Sequence, residues 1–242
     1  MSEKNLIMTL FFTILLSTMV MTSVVAQSRI VGVNVGDWFK YGEVSGSWSS
    51  DDPNAIFPSL EFNYTDWMLI SVEDISGTNI TFQSTWHFTN GTEKIETGHI
   101  DIDTGEGNMT LSAISANLSP NDPIYSSPGY STQKINGTII RTYPDGVRDT
   151  NYMNITTEIN QTGLYQYISM TWYWDKSSGM FVEMAQDVES QIENYTTSWS
   201  LLLRITESNV WVIPEFPSVI ILPIFVTATL IVAIIYRKKH PM

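Results

Sequence analysis

Leu164-Tyr165-Gln166-Tyr167-Ile168-Ser169-Met170-Thr171-Trp172-Tyr173-Trp174 runs into Asp175-Lys176-Ser177-Ser178-Gly179 and out through Met180-Phe181-Val182-Glu183-Met184-Ala185-Gln186-Asp187. The flanks are aromatic-rich and carry no 3.6-residue stripe, while the polar pentapeptide ending in glycine is turn chemistry. Strand, tight turn and returning strand predict an antiparallel hairpin. Outward from it the same pattern recurs. Upstream, Gln133 to Tyr143 and Val147 to Thr156 flank the turn Pro144-Asp145-Gly146. Downstream, Tyr195 to Ile205 is a further strand, and Asp187 to Asn194 is open to one short helix.

Closer to the N-terminus, Asn79 to Phe88 and Lys94 to Asp103 flank Asn90-Gly91, the favoured two-residue hairpin turn. Ile80, Phe82, Trp86 and Phe88 share a face, whereas Ile95 points away from Ile100 and Ile102, so a bulge is expected at Gly98. Asp66-Trp67 opens a strand to Ile75, and Asp37 to Val44 is the first strand. Ser45 to Tyr64 is expected to be loop, broken by Asp51-Asp52-Pro53 and Phe57-Pro58. Asn108 to Ile114 is read as another strand, and Asn117 to Tyr130 as a long loop holding Pro120, Pro123 and Pro128.

Sequential strands joined by tight turns give an antiparallel meander. About nine or ten of them should curl into a half-barrel, a barrel or a sandwich rather than lie flat. Trp67, Phe82, Trp86, Phe88, Trp172 and Trp174 would then pack the concave face. The fold class is mainly β, with a C-terminal transmembrane helix added to it.

That helix is read from Ser218 to Tyr236, an uncharged run that spans roughly 28 Å at 1.5 Å rise, close to one bilayer core. Arg237, Lys238 and Lys239 behind it place the C-terminus on the cytoplasmic side by the positive-inside bias. At the other end, Lys4, the apolar run Leu6 to Val20 and the triplet Val24-Val25-Ala26 read as a secretory signal cut after Ala26. An uncleaved anchor helix is the alternative. The expected organisation is a signal at 1–26, an extracellular β domain at 27–206, a stalk at 207–217, the membrane helix at 218–236 and a cytoplasmic tail at 237–242.

Composition agrees with export. Taking away Arg237, Lys238 and Lys239 moves the net charge from −13 to −16, since Glu3 and Lys4 cancel. A surface that acidic repels phosphate backbones, which argues against nucleic acid as a partner. The chain has no cysteine, so neither disulfides nor thiolate chemistry is open to it. Nine of the fourteen asparagines between Gln27 and Ile213 open an N-x-[ST] triplet: Asn63, Asn79, Asn90, Asn108, Asn117, Asn136, Asn154, Asn160 and Asn194. The Ser and Thr content alone would give about three, so the set points to N-glycosylation on an exported surface.

Pro214-Glu215-Phe216-Pro217, an apolar helix and Arg237-Lys238-Lys239 together resemble the C-terminal anchor signal of archaeal surface proteins, the PEF type recognised by archaeosortases. That resemblance implies an archaeosortase-type processing enzyme as a partner, which removes the helix and joins the new C-terminus to a lipid. A plain membrane helix with a proline-rich entry also fits these residues. Gly36-Asp37-Trp38-Phe39-Lys40-Tyr41 and the hairpin from Tyr173 to Met180 resemble the periplasmic lipoprotein-carrier half-barrels. That resemblance implies a half-barrel with an acyl-binding concave face.

Catalytic motifs are sparse. Asp103-Thr104-Gly105 matches the aspartic-protease triplet, yet that chemistry needs two aspartates sharing a proton and no second copy exists, so a turn is expected. Asp101, Asp103, Glu106 and Asn108 could gather around calcium, but their spacing is not that of a calcium loop, and a solvated acidic turn is preferred. His87 and His99 fall some 17 Å apart along their hairpin, too far to share a metal. Trp172 and Trp174 could stack a sugar, with buried core the preferred reading. No catalytic residue, metal or cofactor is expected. The chain should be a membrane-tethered surface module of structural or binding role, not an enzyme. A carrier of an apolar ligand is the alternative, and a hydrolase with no legible site is a third.

Overall fold

The computed structural model describes residues 29–55, 61–144 and 146–210. The expected signal, the motif Pro214-Glu215-Phe216-Pro217, the helix 218–236 and the basic tail lie outside the described residues. Among those described, no helix is long and apolar enough to cross a membrane.

Among the described residues nine strands form one antiparallel sheet: β1 (Trp38–Ser50), β2 (Thr65–Ser76), β3 (Asn79–Phe88), β4 (Glu93–Asp101), β5 (Gly137–Tyr143), β6 (Gly146–Gln161), β7 (Leu164–Asp175), β8 (Phe181–Ile192) and β9 (Tyr195–Ser208). Their spatial order is β4-β3-β2-β1-β9-β8-β7-β6-β5, so the meander holds and the sheet is not closed. First and last strands pair at the centre, leaving β4 and β5 as the two edges. The hairpin that opened the sequence reading is β7–β8, with Trp172 opposite Met184 and Trp174 opposite Phe181.

Strands alternate faces, and the alternation decides what is buried. Phe39, Tyr41, Phe82, Ile100, Val182 and Ile205 all lie in the core with essentially no exposure. The sheet alone cannot cover them. The connection from β4 to β5, residues 102–136, crosses the sheet as an irregular strap and contributes Ile102, Ile114, Leu118, Ile124, Tyr125 and Ile135 to the same core. Backbone bonds fasten it, among them Ile114 N–H to Gly179 O (2.9 Å) and Phe181 N–H to Ser112 O (3.0 Å). Gly179 has φ +72, and a Cβ there would stand 2.1 Å from Ile114 O, so only glycine allows strap and turn to meet this closely.

The start of β1 and the end of β9 lie side by side at one end of the sheet. Asn209 Oδ1 accepts Trp38 N–H at 2.7 Å, and Asn209 Nδ2 donates to Gly36 O at 3.0 Å. The β3–β4, β6–β7 and β8–β9 turns lie at the opposite end.

Several local expectations are corrected. β1 continues to Ser50 because Ser45 to Ser50 pair with Leu202 to Thr197 of β9; that stretch is serine and glycine around a lone Trp48 and gives no alternating apolar signal of a strand. Asp187 to Ile192 is strand, not helix, since pairing on both sides includes Ile168 opposite Val188 and Val188 opposite Trp199. Asn108 to Ile114 is strap: it belongs to no strand, and the bridge of Ala113 to Met180 is isolated. The β3–β4 turn spans Thr89-Asn90-Gly91 rather than two residues, with Gly91 at φ +82 and Phe88 N–H bonded to Thr92 O at 2.9 Å. Register therefore moves by one: His87 faces Glu93, and His99 faces Thr81. No bulge occurs at Gly98; the glycine makes room for the strap, since a Cβ would meet Met109 Cγ at 2.4 Å. Trp67 does not join Trp86 on the concave side. It neighbours Met68, the partner of Trp86, in sequence, so it faces the other way and stacks on His87 at 4.9 Å.

Candidate functional site

Two cross-strand rows on the strap side of the sheet build the site. Met68 pairs with Trp86 across β2 and β3, while Trp172, Met184 and Leu203 form a row across β7, β8 and β9. Between them and the strap residues Met109, Thr110, Leu111 and Ser112 lies an open, mostly apolar cleft of about 270 Å³. Phe62 closes one side, its ring edge-on to Trp86 at 5.4 Å. Glu96 of β4 also lines the cleft and is paired with Lys94 at 3.2 Å.

The cleft itself measures the curvature of the sheet. Glu96 and Trp172 belong to strands six steps apart, about 29 Å in a flat sheet at 4.8 Å per step. Their meeting around one cleft requires a strongly curved sheet, concave toward the strap. Trp174 Nε1 donates to Leu111 O at 2.8 Å and Tyr125 Oη accepts Leu111 N–H at 2.9 Å, which fixes the strap over the cleft. Leu111 is held at φ 71, a conformation that a leucine adopts only under such constraint. Trp86 Nε1 is buried and has no hydrogen-bond partner among the described residues.

On the opposite face, a partly buried charge cluster joins β5 to β8 and β9. Glu183 pairs with Arg141 at 2.5 Å and with Arg204 at 3.4 Å, and its side chain is only 5 % exposed. Arg141 lies over the Tyr173 ring at 4.3 Å and Arg204 over the Tyr143 ring at 5.0 Å; Arg204 also donates to Thr142 O. Burial works against the Arg141 charge, but the bond to Glu183 and its charge more than offset that and raise the Arg141 pKa. Burial, and then the Glu183 charge, push the Tyr143 hydroxyl up. Arg204 also pairs with Glu43 at 3.4 Å, so two positive and two negative charges tie β1, β5, β8 and β9 together.

The sequence-flagged chemistry is dispersed. Asp103-Thr104-Gly105 is a turn: Asp101 Oδ1 accepts Asp103 N–H at 2.8 Å, and Asp103 pairs with Arg29 at 3.4 Å. Burial alone would raise the Asp101 pKa, but hydrogen bonds from Asp103, Thr78 and Thr104 bring it below the usual carboxylate value. Among the described residues no group of three or more His, Asp or Glu is placed to hold a metal. Trp174 is fully buried, so the two-tryptophan sugar platform does not form; Trp172 alone reaches the cleft.

Of the nine sequon asparagines none is buried: Asn63 and Asn79 are partly covered, and Asn90, Asn108, Asn117, Asn136, Asn154, Asn160 and Asn194 are exposed. Asn136 and Asn154 share one polar groove of about 610 Å³, where Asn136 Oδ1 accepts Asn154 N–H at 2.7 Å. By contrast, Asn151 belongs to no sequon and is buried, donating to Leu118 O at 2.9 Å.

Phe62, Met109, Leu111, Ser112 and Met184 escaped the sequence reading. The one local signal for them was Gly98, a strand glycine that marks where another part of the chain comes close. No family model matches the chain, and no curated protein matches it.

Proposed function

We propose that this chain is a membrane-tethered, N-glycosylated extracellular β domain that serves as a structural or binding module at the cell surface, with its C-terminus cytoplasmic. The observation that carries the reading is that none of the nine sequon asparagines is buried. Seven of the nine are exposed and two are partly covered, so each keeps access to solvent. The end of β9 beside the start of β1, at one end of the sheet, supports a stalk there. Asn90, Asn160 and Asn194, in or beside the turns at the opposite end, would then stand away from the lipid. Ser218 to Tyr236 serves as the anchor, either as a lasting membrane helix or as a PEF-type signal for an archaeosortase-type enzyme. No residue is assigned a catalytic role, and the acidic surface disfavours nucleic acid.

A second reading, that of a half-barrel binding an apolar ligand in its concavity, is favoured by the cleft of about 270 Å³ between sheet and strap. In either case, deleting Val219 to Met242 should release a folded ectodomain into the medium. Retention of the truncated chain in the membrane would overturn the anchor assignment and point to an uncleaved N-terminal helix.

A further inference from the structure

The sequons are not equally open in the finished fold, because the groups that take part in sugar transfer are tied down at some and left loose at others. Resting on the N-glycosylated reading, we infer that Asn90, in the β3–β4 turn, accepts a sugar on the folded domain, whereas Asn136 and Asn154 accept one only before β5, β6 and β7 have paired. The group transferred arrives as a sugar phosphate on a lipid carrier. The bond from sugar C1 to the phosphate oxygen breaks and a bond from C1 to asparagine Nδ2 forms. The amide gives up one proton, and the lipid phosphate leaves with the bonding pair. Nδ2 must therefore be within reach, and the triplet itself requires the hydroxyl at its third position.

Asn90-Gly91-Thr92 meets both needs. The three residues are exposed and lie between β3 and β4, outside both strands. Asn90 Oδ1 accepts the Thr92 N–H at 2.9 Å and the Thr92 hydroxyl at 2.7 Å. The two side chains thus bond within their own triplet, and Asn90 Nδ2 is left for the incoming sugar.

Asn154 is the opposite case. It lies inside β6, its Nδ2 donates to Thr171 Oγ1 of β7 at 2.7 Å, and its backbone N–H donates to Asn136 Oδ1 at 2.7 Å. Asn136 in turn donates its backbone N–H to Tyr152 O at 2.8 Å, and the hydroxyl of its triplet, on Thr138, donates to Asn151 Oδ1 at 2.6 Å. The polar groove of about 610 Å³ has room for sugar beside both asparagines, but the reacting groups are released only when the strands open. Each net hydrogen bond broken in opening lowers the released population about fivefold, and freeing either triplet breaks two or three. Transfer to Asn136 or Asn154 on the folded domain therefore falls by about 25- to 100-fold.

The test uses the full chain, made in a cell without glycosylation and kept folded in mild detergent. A detergent extract of membranes from its native host supplies the transferase and the lipid-linked sugar. The same chain cut at its lysines serves as the unfolded reference, and mass spectrometry follows the initial rate at each asparagine. The expected result is that Asn90 is modified in the folded chain at about its rate in the peptides, while Asn136 and Asn154 are slowed by about 25- to 100-fold. Thr171→Val, which removes the acceptor of Asn154 Nδ2 and keeps a strand-forming side chain, should raise the Asn154 rate about fivefold and leave Asn90 unchanged. Asn136 or Asn154 modified in the folded chain at the peptide rate would overturn the inference, as would Asn90 slowed as much as they are. If no sequon is modified even in the peptides, the glycosylation reading itself falls.

Discussion

Tyr125→Phe tests whether the strap is part of the core or merely rests on it. Tyr125 is fully buried, its hydroxyl accepting from Leu111 N–H and donating to Ala113 O, each at 2.9 Å. Removing one oxygen leaves a backbone donor and a backbone acceptor buried without partners, at about 1–3 kcal/mol each. Part of that loss is recovered as Leu111 relaxes from φ 71, so about 3 kcal/mol is the expected total. For a domain of this size each kcal/mol moves Tm by about 2–4 °C, which predicts a fall of about 6–12 °C. Thermal unfolding of the full chain followed by tryptophan fluorescence is a suitable assay, because Trp174 is bonded to the same strap residue. Tyr64→Phe, at an exposed position, is the control and should not change Tm. A fall for Tyr125→Phe no larger than the control's would mean that the strap is dispensable, and the account of the concave face would fail.

Glu183→Gln should destabilise by about 3 kcal/mol, the low end for a broken buried ion pair because both arginines retain some exposure. Urea unfolding would show this as a lower midpoint; an unchanged midpoint would mean that the arginines are satisfied without the carboxylate. Alkali should act through Tyr41, Tyr125 and Tyr143, whose pKa values burial raises. Above about pH 10 an unfolded tyrosine loses its proton while these three keep theirs, so stability is full below that pH and falls above it. Phenolate absorbance should accordingly show three tyrosines that ionise only as the fold is lost, and reversible titration of all eleven in the folded protein would contradict it.

The meander was legible because its strands announce themselves locally: aromatic alternation in Leu164 to Trp174, turn residues after Trp174, and glycine in the β3–β4 turn. What was hidden depended on distant partners. Ser45 to Ser50 is strand only because Thr197 to Leu202 lies beside it, and Val188 is held in strand by neighbours on both sides. The strap was the largest omission. Its apolar residues have no strand or helix period, since each is placed by a separate bond such as Ile114 N–H to Gly179 O, so periodicity has nothing to detect. For the same reason the cleft was not foreseeable beyond its tryptophans; it exists where the strap crosses two rows brought together by curvature. The sequons, by contrast, are local triplets and could be read directly, and their access to solvent follows from the fold.

Mass spectrometry of the native protein tests the placement of this chain most directly. The account predicts a mature N-terminus at Gln27 and hexose-bearing peptides at exposed sequons such as Asn90, Asn160 and Asn194. A chain that begins at Met1 and bears unmodified asparagines throughout would contradict it.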